Sequence, residues 1–201
     1  MDSQNIEFYV NNFSLKNFNQ NIDLNFISPI ARRRLNQYDK CTLSVLNDIC
    51  TENTENIIFS SKAGESEKLM KIIGQYTEYD DVSPNAFSGS VHNYPIGFFL
   101  CNKKKSIPYN CLSAGDKSIS AGLLVAVCSS YHNVIYCYTD CINDNNEIYS
   151  FGINFNHTQG FAKYKMTLYN SEQKDNFEDY ISIFQNEISE IVTPFFILER
   201  V

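Results

Sequence analysis

Short, uninterrupted apolar runs that alternate with amphipathic stretches constrain this chain more than any other feature. Ile57-Ile58-Phe59-Ser60-Ser61 has no polar alternation and reads as a strand buried on both faces. Val134 to Tyr138 reads the same way, and Ile107 to Ser113 supplies a further strand. Helical patterns separate them. Ser28-Pro29 suits a helix start, since Ser caps the free N–H groups and Pro needs none in the first turn. Behind it Leu35, Tyr38, Thr42, Val45, Leu46 and Ile49 form one buried stripe. Leu69, Ile72, Ile73 and Tyr76 mark a second helix. Ser83-Pro84 opens a third, with Phe87 and Val91 expected inward and Pro95 expected to kink or end it. Gly115 marks a sharp turn, and Ser118 opens a helix whose apolar side is Ile119, Leu123, Val127 and Tyr131. Strand and helix alternate in this way up to Tyr138, which predicts an α/β fold with a mixed, mostly parallel sheet flanked by helices.

Outside that stretch the pattern changes. Ile6 to Asn12 alternates apolar and polar residues and predicts an opening strand. Glu147 to Asn156 and Lys163 to Tyr169 also alternate, as a hairpin or a sheet-edge pair would, with Asn143 to Asn146 as a turn. Phe177, Tyr180, Ile181, Phe184, Ile188 and Ile191 predict one amphipathic helix, ended by Pro194 and followed by a strand from Phe195 to Leu198.

Composition narrows the chemistry. The formal net charge is -7 over 201 residues, against the clustered cations that phosphate contacts need, so nucleic-acid binding is not expected. Arg32-Arg33-Arg34 and Lys103-Lys104-Lys105 read as solvated faces or as docking spots for an acidic carrier protein or partner. The 15 Phe and 13 Tyr, set against 19% charged residues, suit either an aromatic core or a surface covered by a partner. Seven cysteines without a Cys-x-x-Cys pair suggest neither a disulfide framework nor a zinc site. The opening residues lack a charged-then-apolar leader and no apolar run reaches the ~20 residues of a membrane span, so a reducing, cytoplasmic setting without a membrane is expected. Asp80-Asp81 and Asp140 read as isolated acids near element ends, and Ser60-Ser61-Lys62 as a strand end.

Three segments together point to a family. Ala31-Arg32-Arg33-Arg34-Leu35 with Tyr38-Asp39-Lys40 is the first. Ser83-Pro84-Asn85-Ala86-Phe87 through Val91-His92-Asn93 to Ile96-Gly97 is the second. The third is Pro108-Tyr109-Asn110-Cys111-Leu112-Ser113-Ala114-Gly115 with Ser118 and the small-residue helix to Val127. In this order, over residues 28 to 140, they resemble the N-terminal half of the β-ketoacyl synthases, and more closely its half-length branch. The resemblance implies that residues 1 to 201 form one synthase-like N-terminal domain, half of a thiolase-like fold. In true synthases the third segment presents the catalytic cysteine at a helix N-terminus, where the macrodipole and free N–H groups favour thiolate. Sliding the family pattern along Ser113-Ala114-Gly115-Asp116-Lys117-Ser118 puts Asp116 at that position, or Lys117 if the register differs by one.

The resemblance further implies no catalytic residue, no cofactor and no metal. The family's histidine pair belongs to its C-terminal half, and His92, His132 and His157 lack the family context. It implies instead a chain-length-factor-like subunit that heterodimerises with a β-ketoacyl-ACP synthase and shapes its acyl tunnel in polyene or polyketide-type synthesis, meeting the acyl carrier protein only indirectly. Phe87, Val91, Asn93, Tyr94, Phe98, Tyr109, Cys111 and Ser113 are the expected interface or tunnel residues. Two other functions compete: a stand-alone acyltransferase or hydrolase using Cys111 or a serine, and a non-catalytic module binding an acyl carrier protein.

Overall fold

The structure is a computed structural model that describes residues 5–17, 19–20, 22–141 and 147–201. The turn expected at Asn143 to Asn146 lies outside the described residues. In chain order the elements are β1 (Asn5–Asn17), α1 (Pro29–Arg32), α2 (Gln37–Ile49), β2 (Asn56–Ser60), α3 (Ser66–Tyr79), α4 (Pro84–Ser90), α5 (Tyr94–Lys103) and β3 (Tyr109–Leu112). A single 3-10 turn, Gly115–Lys117, leads into α6 (Ser118–Val127). Then come β4 (Asn133–Cys141), β5 (Ile148–Asn156), β6 (Ala162–Leu168), α7 (Phe177–Phe184), β7 (Glu190–Val192) and β8 (Phe196–Arg200). No helix among the described residues is long and apolar enough to cross a membrane.

The strands form one sheet in the order β3-β2-β4-β5-β1-β6-β8-β7, so β3 and β7 are its edges. The strand side chains alternate between two cores, as the period of two requires. Val134, Tyr136 and Tyr138 of β4 join Ile58 beneath α6 and α7, packed with Ile119, Leu123, Phe177 and Tyr180. Ile135 and Cys137 point the other way with Ile57 and Phe59, against Val45, Leu46, Ile96 and Phe99 of α2 and α5. This arrangement is the expected open mixed sheet with helices on both faces. The expected parallel majority is not found: β2 pairs in parallel with β3 and β4, and every other pairing among the described strands is antiparallel. The strands that follow β4 account for the difference.

Several local expectations are corrected. The helix predicted from Ser28 to Ile49 is two helices. Ser28 caps only α1, and Asn36 in extended conformation restarts the chain with a capping box: its side chain accepts from the Asp39 N–H while Asp39 accepts from the Asn36 N–H. Pro95 does not kink the third helix but stands in the first turn of a new one, α5, after α4 has ended at Ser90. Phe87 is 61% exposed and Val91 38%, so neither points inward. Tyr131 is exposed and lies past the end of α6. The strands predicted as a hairpin or a sheet-edge pair, β5 and β6, do not pair with each other, because β1 lies between them. The helix predicted through Ile191 stops at Phe184. Asn186 takes a left-handed conformation (φ 68°) just past it, and Ile191 belongs to β7. Both elements face the same core, which is why one apolar spacing ran across the break.

Candidate functional site

The parallel strands β2 and β3 end near the turn that leads into α6. Gly115 makes this turn with φ +58°, a left-handed backbone that glycine adopts without strain. The expected degenerate position is therefore placed at the mouth of a helix. Asp116 is clamped there by two cations. Lys174 Nζ lies 2.7 Å from one carboxylate oxygen, and Lys62 Nζ forms an ion pair with the other. Hydrogen bonds from Lys174 and then Lys62 push the Asp116 carboxyl down to about 2. Lys62 is raised in turn, chiefly by its bond to Asp116. Lys117 is the residue preceding the first turn of α6 and makes no side-chain cap; its ammonium lies over the Phe195 ring at 5.5 Å.

No thiol occupies this turn. Cys111 sits on β3 opposite Phe59 of β2, and burial pushes it up to about 12. That shift opposes the thiolate a nucleophile needs. Cys41 and Cys137 are likewise pushed up to about 12 by burial.

The loop after β2 is held by Asp140 at the end of β4. This acid is neither isolated nor solvated: it is buried, and its Oδ2 accepts from Ser61 Oγ at 3.3 Å, from the Ala63 N–H at 3.1 Å, from the Lys62 N–H and from Tyr138 at 3.3 Å. Ser61 Oγ also accepts from the Gly64 N–H at 2.7 Å, so Ser61 is spent on the loop. These bonds fix Lys62 beside Asp116, and Ser113 Oγ donates to the Lys62 carbonyl at 3.1 Å.

The expected interface residues fall into one region with different degrees of cover. Asn93 precedes α5 and donates to Tyr109 Oη on β3 at 3.2 Å. Tyr94 and Phe98 meet along α5 with tilted rings whose centroids are 5.6 Å apart. Phe98, Tyr109 and Cys111 are half-buried against the α2 and α5 core, Ser113 is exposed, and Phe87 and Val91 lie outside the core. His92 lies between α4 and α5 rather than within a helix. It sits against Phe59 at 5.4 Å, and burial lowers its pKa.

A second polar cluster, not expected from the sequence, ties α3 to α2. Lys68 Nζ bridges Asp39 at 2.7 Å and Glu65 at 2.8 Å, and Asn36 Nδ2 donates to Glu65 at 2.9 Å. Both carboxylates have no exposed side-chain surface. Burial first, and the neighbouring Asp39 second, push Glu65 up to about 8. The acids were visible in the sequence, but no local pattern joins Asp39 to Glu65 and Lys68, or Asp116 to Lys62 and Lys174.

No curated protein matches the chain. Among solved structures, a chain of the ketosynthase ApeO in complex with its chain length factor ApeC, from Xenorhabdus doucetiae, has a similar fold. The TM-score is 0.70 at 16% identity, covering 90% of this chain and 84% of that one. The fold is therefore thiolase-like, as expected. Residues 9–155 match the family described as beta-ketoacyl synthase, N-terminal domain, and the chain belongs to that family.

Proposed function

We propose that this chain is a non-catalytic, chain-length-factor-like subunit that pairs with a β-ketoacyl-ACP synthase and shapes its acyl tunnel. One observation carries the proposal. At the turn where a condensing enzyme needs a thiolate, the chain holds Asp116 between Lys62 and Lys174. An ionised carboxylate with both oxygens in ion pairs is neither a good nucleophile nor free to act as a base. The solved relative, a ketosynthase in complex with its chain length factor, supports the same assignment.

The partner surface we assign is the β3 edge with α4 and α5. One side of β3 has no strand beside it among the described residues, and such an edge is a template for pairing with another chain. Asn93 at the start of α5 reaches Tyr109 of this edge strand, Tyr94 and Phe98 line the α5 side, and Phe87 and Val91 are exposed on and just after α4, which precedes α5. Tunnel shaping falls to the side chains nearest that edge, Phe98, Tyr109 and Cys111. The substrate of the assembled complex is a growing acyl chain on a carrier protein, of polyene or polyketide type. The carrier docks mainly on the synthase; within the Lys103-Lys104-Lys105 run, Lys105 pairs with Glu52 at 3.2 Å and Lys103 covers the Phe26 ring. The compartment we assign is the cytoplasm.

Co-expression with a β-ketoacyl-ACP synthase, followed by purification on a tag carried by this chain alone, tests the proposal. The expected result is a stoichiometric heterodimer that condenses acyl-ACP, while the isolated chain does not. Condensation by the isolated chain would overturn the proposal, as would a synthase that never co-purifies.

A further inference from the structure

The helix mouth is closed by a second device, which lies outside the region matched to the family. At the start of α6 the Ser118 N–H is taken by the Gly115 carbonyl, but the N–H groups that follow have no acceptor within the helix and lie at the positive end of its dipole. Its flanking residue, Lys117, has no side-chain acceptor and carries the wrong charge for that end. The acceptor comes from far along the chain. Asp175, between β6 and α7, accepts the Ser120 N–H at 2.9 Å. Its other oxygen accepts from Tyr180 Oη of α7 at 2.8 Å, and its own N–H donates to the Asp116 carbonyl at 3.0 Å. The preceding residue is Lys174, which clamps the Asp116 carboxylate. Two consecutive residues from beyond the 9–155 region thus hold both the turn and the helix start.

We infer that Asp175 is the N-terminal cap of α6, supplied by a distant segment of the same chain, and that its carboxylate permanently occupies the helix end where an anion would otherwise be stabilised. Asp175 therefore withdraws the helix end from the site independently of which residue stands at position 116. A cysteine restored there would keep the help of Lys62 and Lys174 but not that of the helix end, because a fixed carboxylate already uses the Ser120 N–H and repels a second negative charge. Burial raises the Asp175 carboxyl above its ordinary value, while the bonds from Ser120 and Tyr180 pull it back.

The test uses the full-length chain with Asp116→Cys, alone and combined with Asp175→Asn. Asparagine keeps an oxygen for the Ser120 N–H but removes the charge, so the helix remains capped. The pH profile of alkylation at the introduced thiol is followed by peptide mass mapping, which separates it from the native cysteines. Lys62 and Lys174 flank the thiol in both proteins, so their effect cancels. The expected midpoint in the double variant is lower by about one pH unit, equivalent to ~10-fold more thiolate well below the midpoint. Coincident midpoints would overturn the inference. Asp175→Ala, which removes the cap as well as the charge, is expected to melt below Asp175→Asn, and equal melting temperatures would overturn the capping role. Neither outcome depends on whether position 116 corresponds to the family nucleophile, so this inference and the proposed function fail separately.

Discussion

Two helices on the chain follow parallel strands, and they are treated in opposite ways. α6, after β3, carries no charged residue, and its inner face is packed so closely that a Cβ at Gly122 would fall 2.5 Å from Ser60 Oγ and 2.6 Å from the Tyr136 ring. Beneath it Tyr136 donates to the Ile119 carbonyl at 2.9 Å and shares a 2.8 Å bond with Ser60. α3, after β2, buries only Ile72 and leaves Leu69, Met70, Ile73 and Tyr76 exposed. Dispersion and close approach hold the first helix, whereas the buried Asp39–Glu65–Lys68 cluster does much of the holding for the second. The site end of the sheet is thus sealed at α6, while apolar surface is offered at α3 and α4.

The contrast can be broken by substitution. Gly122→Val is expected to be the most damaging change, because it overpacks a rigid neighbourhood and separates Ser60 from Tyr136. A loss of roughly 3–4 kcal/mol in chemical denaturation is expected. Lys68→Met leaves Asp39 and Glu65 buried without their cation. We expect a loss of about 3 kcal/mol, together with faster amide exchange confined to α3 and α4.

The same cluster makes stability pH-dependent. Glu65 titrates higher when folded than its ordinary value of 4.5, at about 8. The folded state therefore binds the extra proton, so this group's contribution is complete below about 4.5 and is lost as the pH rises toward 8. Melting curves between those limits should fall with pH in the native chain and fall less in Glu65→Gln.

At the small end, Gly74→Ala in α3 meets no atom within 4 Å and should stabilise by ~0.5–1 kcal/mol through helix propensity, the opposite sign to Gly122. Phe87→Ser should change stability by less than ~0.5 kcal/mol, since the side chain is exposed, yet should weaken capture of the synthase if α4 belongs to the partner surface. Undiminished capture would remove α4 from that surface.

Much of the architecture was legible because its signals are local. The buried strands at Ile57 and Val134, the Gly115 turn and the small-residue helix behind it all follow from short-range rules of period, capping and backbone freedom. Phe87 and Val91 show the limit of those rules: helical spacing identifies an apolar face but not whether the chain itself covers it. The hairpin expected between β5 and β6 failed for a related reason, because alternation marks strands without stating which strand lies between them.

From its residues alone the chain determined an α/β alternation, a turn opening a helix without cysteine, and resemblance to a family whose domain it contains. Tertiary structure alone decided that Asp116 is gripped by Lys62 and Lys174, that Asp175 caps a helix 55 positions earlier, and that Asp39, Glu65 and Lys68 share one buried site. The physical reason is range. Backbone propensity and apolar period act over a few residues, whereas charge pairing and long-range hydrogen bonding depend on which distant segments the sheet brings together.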